Sequence, residues 1–112
     1  MIRSYRDLEA HKLSLRVYPQ AVKASRRFPH YLKDQFCRAV NAIAADVAEG
    51  YGRSAAEFKM YLTRALGSCN EAETHLQMAY DAEYITEDKF VDLKNQLTII
   101  GKKLYTLRKN WK

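Results

Sequence analysis

Two cysteines, three histidines and one glycine-rich turn are the side chains here whose types suggest bond-making chemistry. Glu71 and His75 stand four apart. A di-metal centre in a helical bundle instead uses Glu and His at i, i+3 on two helices, plus two further inward Glu. The chain has no second pair, so no metal ligands are assigned. Cys37 and Cys69 fall short of a four-ligand zinc knuckle or a disulfide framework. Cys69 lies on an apolar stripe, where a thiol behaves as a small hydrophobe. His11 falls on a helical seam, the usual place of a packed core imidazole. Gly50-Tyr51-Gly52-Arg53 superficially resembles a phosphate loop. A phosphate cradle, however, is longer, follows a strand and opens a helix with Lys-Ser/Thr. The other reading is a tight turn with Arg53 tethered to Glu49. No carboxylate pair forms an acid–base frame, so the residues point to no enzyme, no cofactor and no small-molecule substrate.

The cations carry more information. The 112 residues hold 19 Lys/Arg against 13 Asp/Glu, a net charge of +6. Residues 1–40 have nine bases against three acids, and residues 93–112 have six bases and no acid. Residues 54–92 reverse this, with eight acids against three bases. Such asymmetry points either to an anionic partner or to a merely solvated surface.

Helices must position these side chains. Phe90, Leu93, Leu97, Ile100, Leu104, Leu107 and Trp111 recur at alternating steps of three and four, which predicts a helix over 87–111 capped by Thr86. Phe58, Leu62, Ala65, Cys69, Ala72, Leu76 and Ala79 predict a second over 55–83, opened by a Ser54/Glu57 capping box and weakened by Gly67. Phe36, Val40, Ile43 and Val47 predict a short helix between 34 and 50, ended by Gly50 and Gly52. Leu8, His11, Leu15, Tyr18 and Val22 predict a first helix kinked by Pro19 and ended by Phe28-Pro29-His30. Four Gly and two Pro are too few for a sandwich or barrel. No apolar run reaches the roughly 18 residues of a membrane span. Met1-Ile2-Arg3-Ser4 lacks a signal-peptide core, so a cytoplasmic location with reduced thiols is expected. The expected fold is all-α: one domain over 1–112, an up-down-up-down antiparallel four-helix bundle with left-handed crossings.

That topology brings the start of the first helix, the 50–60 turn and the end of the fourth helix to one pole. Arg3, Arg6, Arg53, Lys59, Lys102, Lys103, Arg108, Lys109 and Lys112 gather there, with Tyr5, Tyr51, Tyr105 and Trp111 interleaved. Clustered bases neutralise phosphates and release counterions, and aromatic rings stack on unpaired nucleobases. The expected function is non-enzymatic binding of RNA or DNA. The alternative is a scaffold that recruits one protein partner without nucleic acid. Tyr61, Leu66, Met78, Tyr80, Ile99 and Tyr105 lie beside their seams, more apolar surface than a four-helix core consumes, and predict a homo-oligomer interface.

Ala48-Glu49-Gly50-Tyr51-Gly52-Arg53, followed by Ala65-Leu66-Gly67-Ser68-x-x-Glu71-x-Glu73-x-x-Leu76, resembles the 23S rRNA intervening-sequence protein family of four-helix bundles. Asp7-Leu8, Arg27-Phe28-Pro29 and Tyr84-Ile85-Thr86 extend the resemblance over nearly the whole chain. Tyr18-Pro19 with Arg27-Phe28-Pro29 is also similar to the accessory variability protein of diversity-generating retroelements. The resemblance implies a homopentamer and, in the retroelement branch, a reverse transcriptase and nucleic acid as partners. Where the family usually has Ile-Pro-Ser-Asn-Ile, this chain has Ile43-Ala44-Ala45-Asp46-Val47. The second helix thereby loses a proline and gains a charge. His11 stands where the family often has Trp.

Overall fold

Ser4 opens the first ordered turn. Its hydroxyl accepts from the Arg6 amide at 3.2 Å, while the Asp7 carboxylate accepts from the Arg3 and Ser4 amides at 2.7 and 3.1 Å. In the computed structural model, which describes residues 1–112, this 3-10 turn (Tyr5–Asp7) leads into four helices. They are α1 (Glu9–Ala24), α2 (His30–Gly50), α3 (Ala55–Asp81) and α4 (Glu87–Asn110). Sequential neighbours pack on one another, α4 closes back onto α1, and the backbones of the diagonal pairs stay apart. The result is an antiparallel four-helix bundle with extents of 43 × 22 × 19 Å.

α3 and α4 form where their local signals place them. Ser54 Oγ accepts from the Glu57 amide at 3.2 Å, and the Glu57 carboxylate accepts from the Ser54 amide at 3.4 Å. Thr86 accepts from the Lys89 amide at 3.5 Å and caps α4. α3 stops at Asp81, short of the expected 83, through a paired closure. The Tyr84 amide donates to the Ala79 carbonyl at 2.8 Å and the Glu83 amide donates to the Tyr80 carbonyl at 3.0 Å. Such a closure needs a left-handed residue, and Glu83 supplies it with φ 66°.

Two expectations are corrected. α2 starts at His30 rather than near 34, and α1 ends at Ala24. Pro29, expected to terminate α1, is the N-cap of α2, and its carbonyl accepts from the Leu32 and Lys33 amides at 3.0 Å each. Proline suits a helix start because its missing N–H would find no intrahelical partner there. The expected seam of α1 holds at Leu8 and His11 but turns outward beyond them. The buried set is Ala10, His11, Ser14, Val17 and Ala21, while Leu15 is 57% exposed and Tyr18 faces solvent. The helical period is legible in the sequence, but its phase is set by size. Small residues let α1 settle closely against its neighbours, and the buried Ser14 hydroxyl is satisfied by donating to the Ala10 carbonyl at 2.6 Å. α1 continues through Pro19, which lies on its solvent side.

Phe36, Ile43, Phe58, Leu62, Leu76, Leu93, Leu97, Ile100 and Leu104 fill the core. The small stripe of α3 permits close approach of α4. A Cβ on Gly101 would lie 3.6 Å from Cys69 Sγ, and that thiol donates to the Leu97 carbonyl at 3.2 Å. Burial pushes the Cys69 pKa up to about 12, so this thiol is a packing group. No helix is long and apolar enough to cross a membrane.

Candidate nucleic-acid interface

An aromatic cluster holds the expected pole together. The Phe58 ring sits 4.8 Å from Trp111 and 5.9 Å from Tyr51, and Tyr51 and Trp111 are 6.0 Å apart, all edge to face. These contacts fasten the end of α4 to the α2–α3 turn. Leu8, Glu9 and Ala10 line one cavity with Lys102, Lys103 and Leu107, which places the start of α1 beside the same end of α4. The three segments therefore share one pole, as the topology requires.

The aromatics serve this packing more than they face solvent. Tyr51 and Trp111 are half-buried against the core, and Tyr5 packs edge-on against His11 with ring centres 4.9 Å apart. Of the four interleaved rings only Tyr105 is open, at 53% exposure, with the Arg108 guanidinium 5.6 Å from its centre. The expected row of stacking platforms reduces to this one ring. His11 is buried, and burial followed by the nearby Arg6 lowers its pKa, so the imidazole is held neutral.

The nine basic residues fall into two groups. Arg53 is held in place: its Nε donates to the Glu49 carbonyl at 3.0 Å, it pairs with Glu57 at 3.8 Å, and its guanidinium lies 5.0 Å from the Tyr61 ring centre. Arg108 donates to the Thr63 hydroxyl at 3.1 Å, and Lys59 is half-buried. Arg3, Arg6, Lys102, Lys103, Lys109 and Lys112 are exposed, and none belongs to an ion pair. Two carboxylates at this pole have local duties. Backbone amides of Arg3 and Ser4 hold Asp7 below its usual pKa, and the Ser54 hydroxyl and amide do the same for Glu57.

The Glu49–Arg53 segment is the tight turn. Gly50 is the last residue of α2, buried where a Cβ would collide with the Tyr61 side chain, so it allows close approach rather than ending the helix. Gly52 supplies the left-handed step at φ 88°. The tether runs from Arg53 to the Glu49 carbonyl, not to its carboxylate. Just before the turn, Asp46 is buried with Arg64 at 3.7 Å. Burial raises its pKa, Arg64 lowers it, and Glu49 adds to the rise.

Of the six side chains expected at a subunit interface, three are engaged within the chain. Tyr80 stacks on Phe90 at 4.2 Å and donates to Glu87 at 3.1 Å. Tyr61 lies under Arg53 and Arg64, and Leu66 packs against the core. Met78, Ile99 and Tyr105 are each about half exposed, and Met60 joins them.

Sequence reading places Arg26, Arg27 and Lys33 at the far pole among acidic residues, but misses that Lys23 and Lys89 join the two arginines in a second basic cluster. Lys23, Arg26, Arg27 and Lys89 line one cleft at the far pole, beside Glu83, Tyr84 and Thr86. Lys23 and Lys89 are 66 positions apart, so only the closure of α4 onto α1 brings them together.

The family model for 23S rRNA-intervening sequence protein matches residues 6–106. No curated protein matches the chain. A crystal structure of a protein of unknown function from the S23 ribosomal protein family of Bacteroides thetaiotaomicron is similar at a TM-score of 0.84 and 26% identity. The match covers 90% of this chain and 99% of that one.

Proposed function

The chain belongs to the 23S rRNA-intervening sequence protein family, and from that premise we propose that it is a non-enzymatic, homo-oligomeric protein that binds nucleic acid. One observation carries the reading: Arg3, Arg6, Lys102, Lys103, Lys109 and Lys112 stand exposed at one pole without ion-pair partners. Cations without ion-pair partners that share one pole repel one another, and a polyanion relieves that repulsion while releasing its own counterions. The surplus of exposed apolar side chains, Met60, Met78 and Tyr105, supports assembly into a closed ring. The family points to five copies. A ring repeats the basic pole around one axis, so weak single contacts add up to avid binding. The partner is RNA of the ribosomal kind that the family name describes, or nucleic acid handled with a reverse transcriptase.

Fluorescence anisotropy with labelled RNA and DNA, at about 50 mM salt, tests the reading. Saturable binding of either is the expected result. Absence of binding to both overturns it, as does recovery from cells of one stoichiometric protein partner with no nucleic acid.

A further inference from the structure

Three of the bundle's cavities open on a single seam, the one between α1 and α4. One of about 580 Å³ is walled by Leu8, Ile99 and Leu107 and rimmed by Lys102 and Lys103. The next two, about 500 and 320 Å³, adjoin through Lys23, Arg26 and Lys89, and Arg27 completes the last. None of these six cations is in an ion pair. Between the two ends Gln96 Nε2 donates to Gln20 Oε1 at 2.8 Å, a neutral amide bridge across the seam. The acids present are Glu9, Glu83 and Asp92, and Asp92 already accepts from Gln96 at 3.2 Å. Two cavities on the other seams are less basic: one holds Asp46, Arg64 and Glu71, the other Glu73 and Lys94.

We propose that a single strand of nucleic acid lies along the α1–α4 seam, its phosphates held by Lys102 and Lys103 at one end and by Lys23, Arg26 and Lys89 at the other. The proposal rests on the nucleic-acid reading above and specifies its path, from pole to pole rather than around one pole. Fourteen residues of α4 separate Lys89 from Lys103, about 21 Å at 1.5 Å per residue. At the 3.4 Å rise of a stacked duplex strand about six steps would span that distance, and an unstacked single strand, being more extended, spans it in fewer. A single strand sinks sugars and bases between the helices, against Leu8, Ile99, Leu107 and the amide pair. A duplex meets only the rim.

The probes are fluorescent oligouridines of four and twelve nucleotides and a twelve-base-pair duplex. Full-length protein is compared with a far-end variant (Lys23→Glu, Arg26→Glu, Lys89→Glu) and a near-end variant (Lys102→Glu, Lys103→Glu). All five side chains are exposed, and glutamine replacements give the same comparison if charge reversal unfolds the protein. The 12-mer is expected to bind at least tenfold tighter than the 4-mer and to weaken at least tenfold in each variant. If only the near-end variant weakens the 12-mer, the path is wrong while nucleic-acid binding stands. If no probe binds the wild type, the function itself is wrong. Duplex binding as tight as the 12-mer, or equal displacement of the 12-mer by an acidic polypeptide, overturns the single-strand assignment.

Discussion

A Cβ on Gly50 would run into the Tyr61 side chain, whereas one on Gly67 would meet nothing within 4 Å. Gly50→Ala should therefore cost about 1–3 kcal/mol through overpacking at the α2–α3 turn. Gly67→Ala should add about 1 kcal/mol by restoring helix propensity. Shifts of the urea midpoint in opposite directions check the pair. Asp46 makes a prediction about pH. Burial raises its pKa against the opposing pull of Arg64, so the folded chain holds this proton more tightly than the unfolded one. Ionising it costs stability as pH climbs from the ordinary aspartate value through the raised one. Asp46→Asn should accordingly be more stable than wild type at pH 7, and the gain should vanish near pH 3. Asp7 and Glu57 act with the opposite sign: their pKa values are lowered, so their support is present at neutral pH and fades as pH falls through the folded values. Thermal unfolding of wild type and Asp46→Asn across that range separates the contributions.

At the scale of elements, the ends of α3 are the most informative. Ser54→Ala removes the side-chain acceptor at its start and should cost about 1 kcal/mol. Glu83→Gly relieves the left-handed strain at its finish and should gain about 0.5–1 kcal/mol. Denaturant unfolding of each variant reads both changes. α3 and α4 are legible in the sequence because cap and seam agree there, and in α4 the acidic first turn and basic last turn agree as well. The phase of α1 is not. Two stripes, Leu8–His11–Leu15–Tyr18–Val22 and Ala10–Ser14–Val17–Ala21, have nearly the same period; Leu8 and His11 of the first are buried, but from Leu15 onward hydrophobicity favours the stripe that faces solvent. Close helix packing selects the smaller residues, a constraint that becomes visible only once the neighbours are in place. Pro29 is ambiguous because proline both ends and begins helices. The near pole is legible from topology alone, yet the roles of its side chains are not: Tyr51 and Trp111 are fasteners, and Arg53 is a tether. Topology also sends Arg26 and Arg27 to the far pole, but Lys23 and Lys89 join them only through the α1–α4 closure.

For the whole molecule, assembly and binding are linked. One chain has a mass of 13.0 kDa. Light scattering coupled to gel filtration should therefore return about five times that value if exposed Met78 and Tyr105 are covered by other copies. A 13.0 kDa species at micromolar concentration would contradict the ring. Binding of a polyanion by a repeated basic surface must in turn be salt-dependent, because each phosphate that a cation neutralises sheds its condensed counterions. The most direct test of the account is the slope of log affinity against log salt for a labelled single strand. Wild type is compared with a variant carrying alanine at Lys102, Lys103, Lys109 and Lys112. The account predicts a steep negative slope that flattens by about 0.7 for each phosphate the variant no longer neutralises. A slope near zero, or one that the four substitutions leave unchanged, would contradict it.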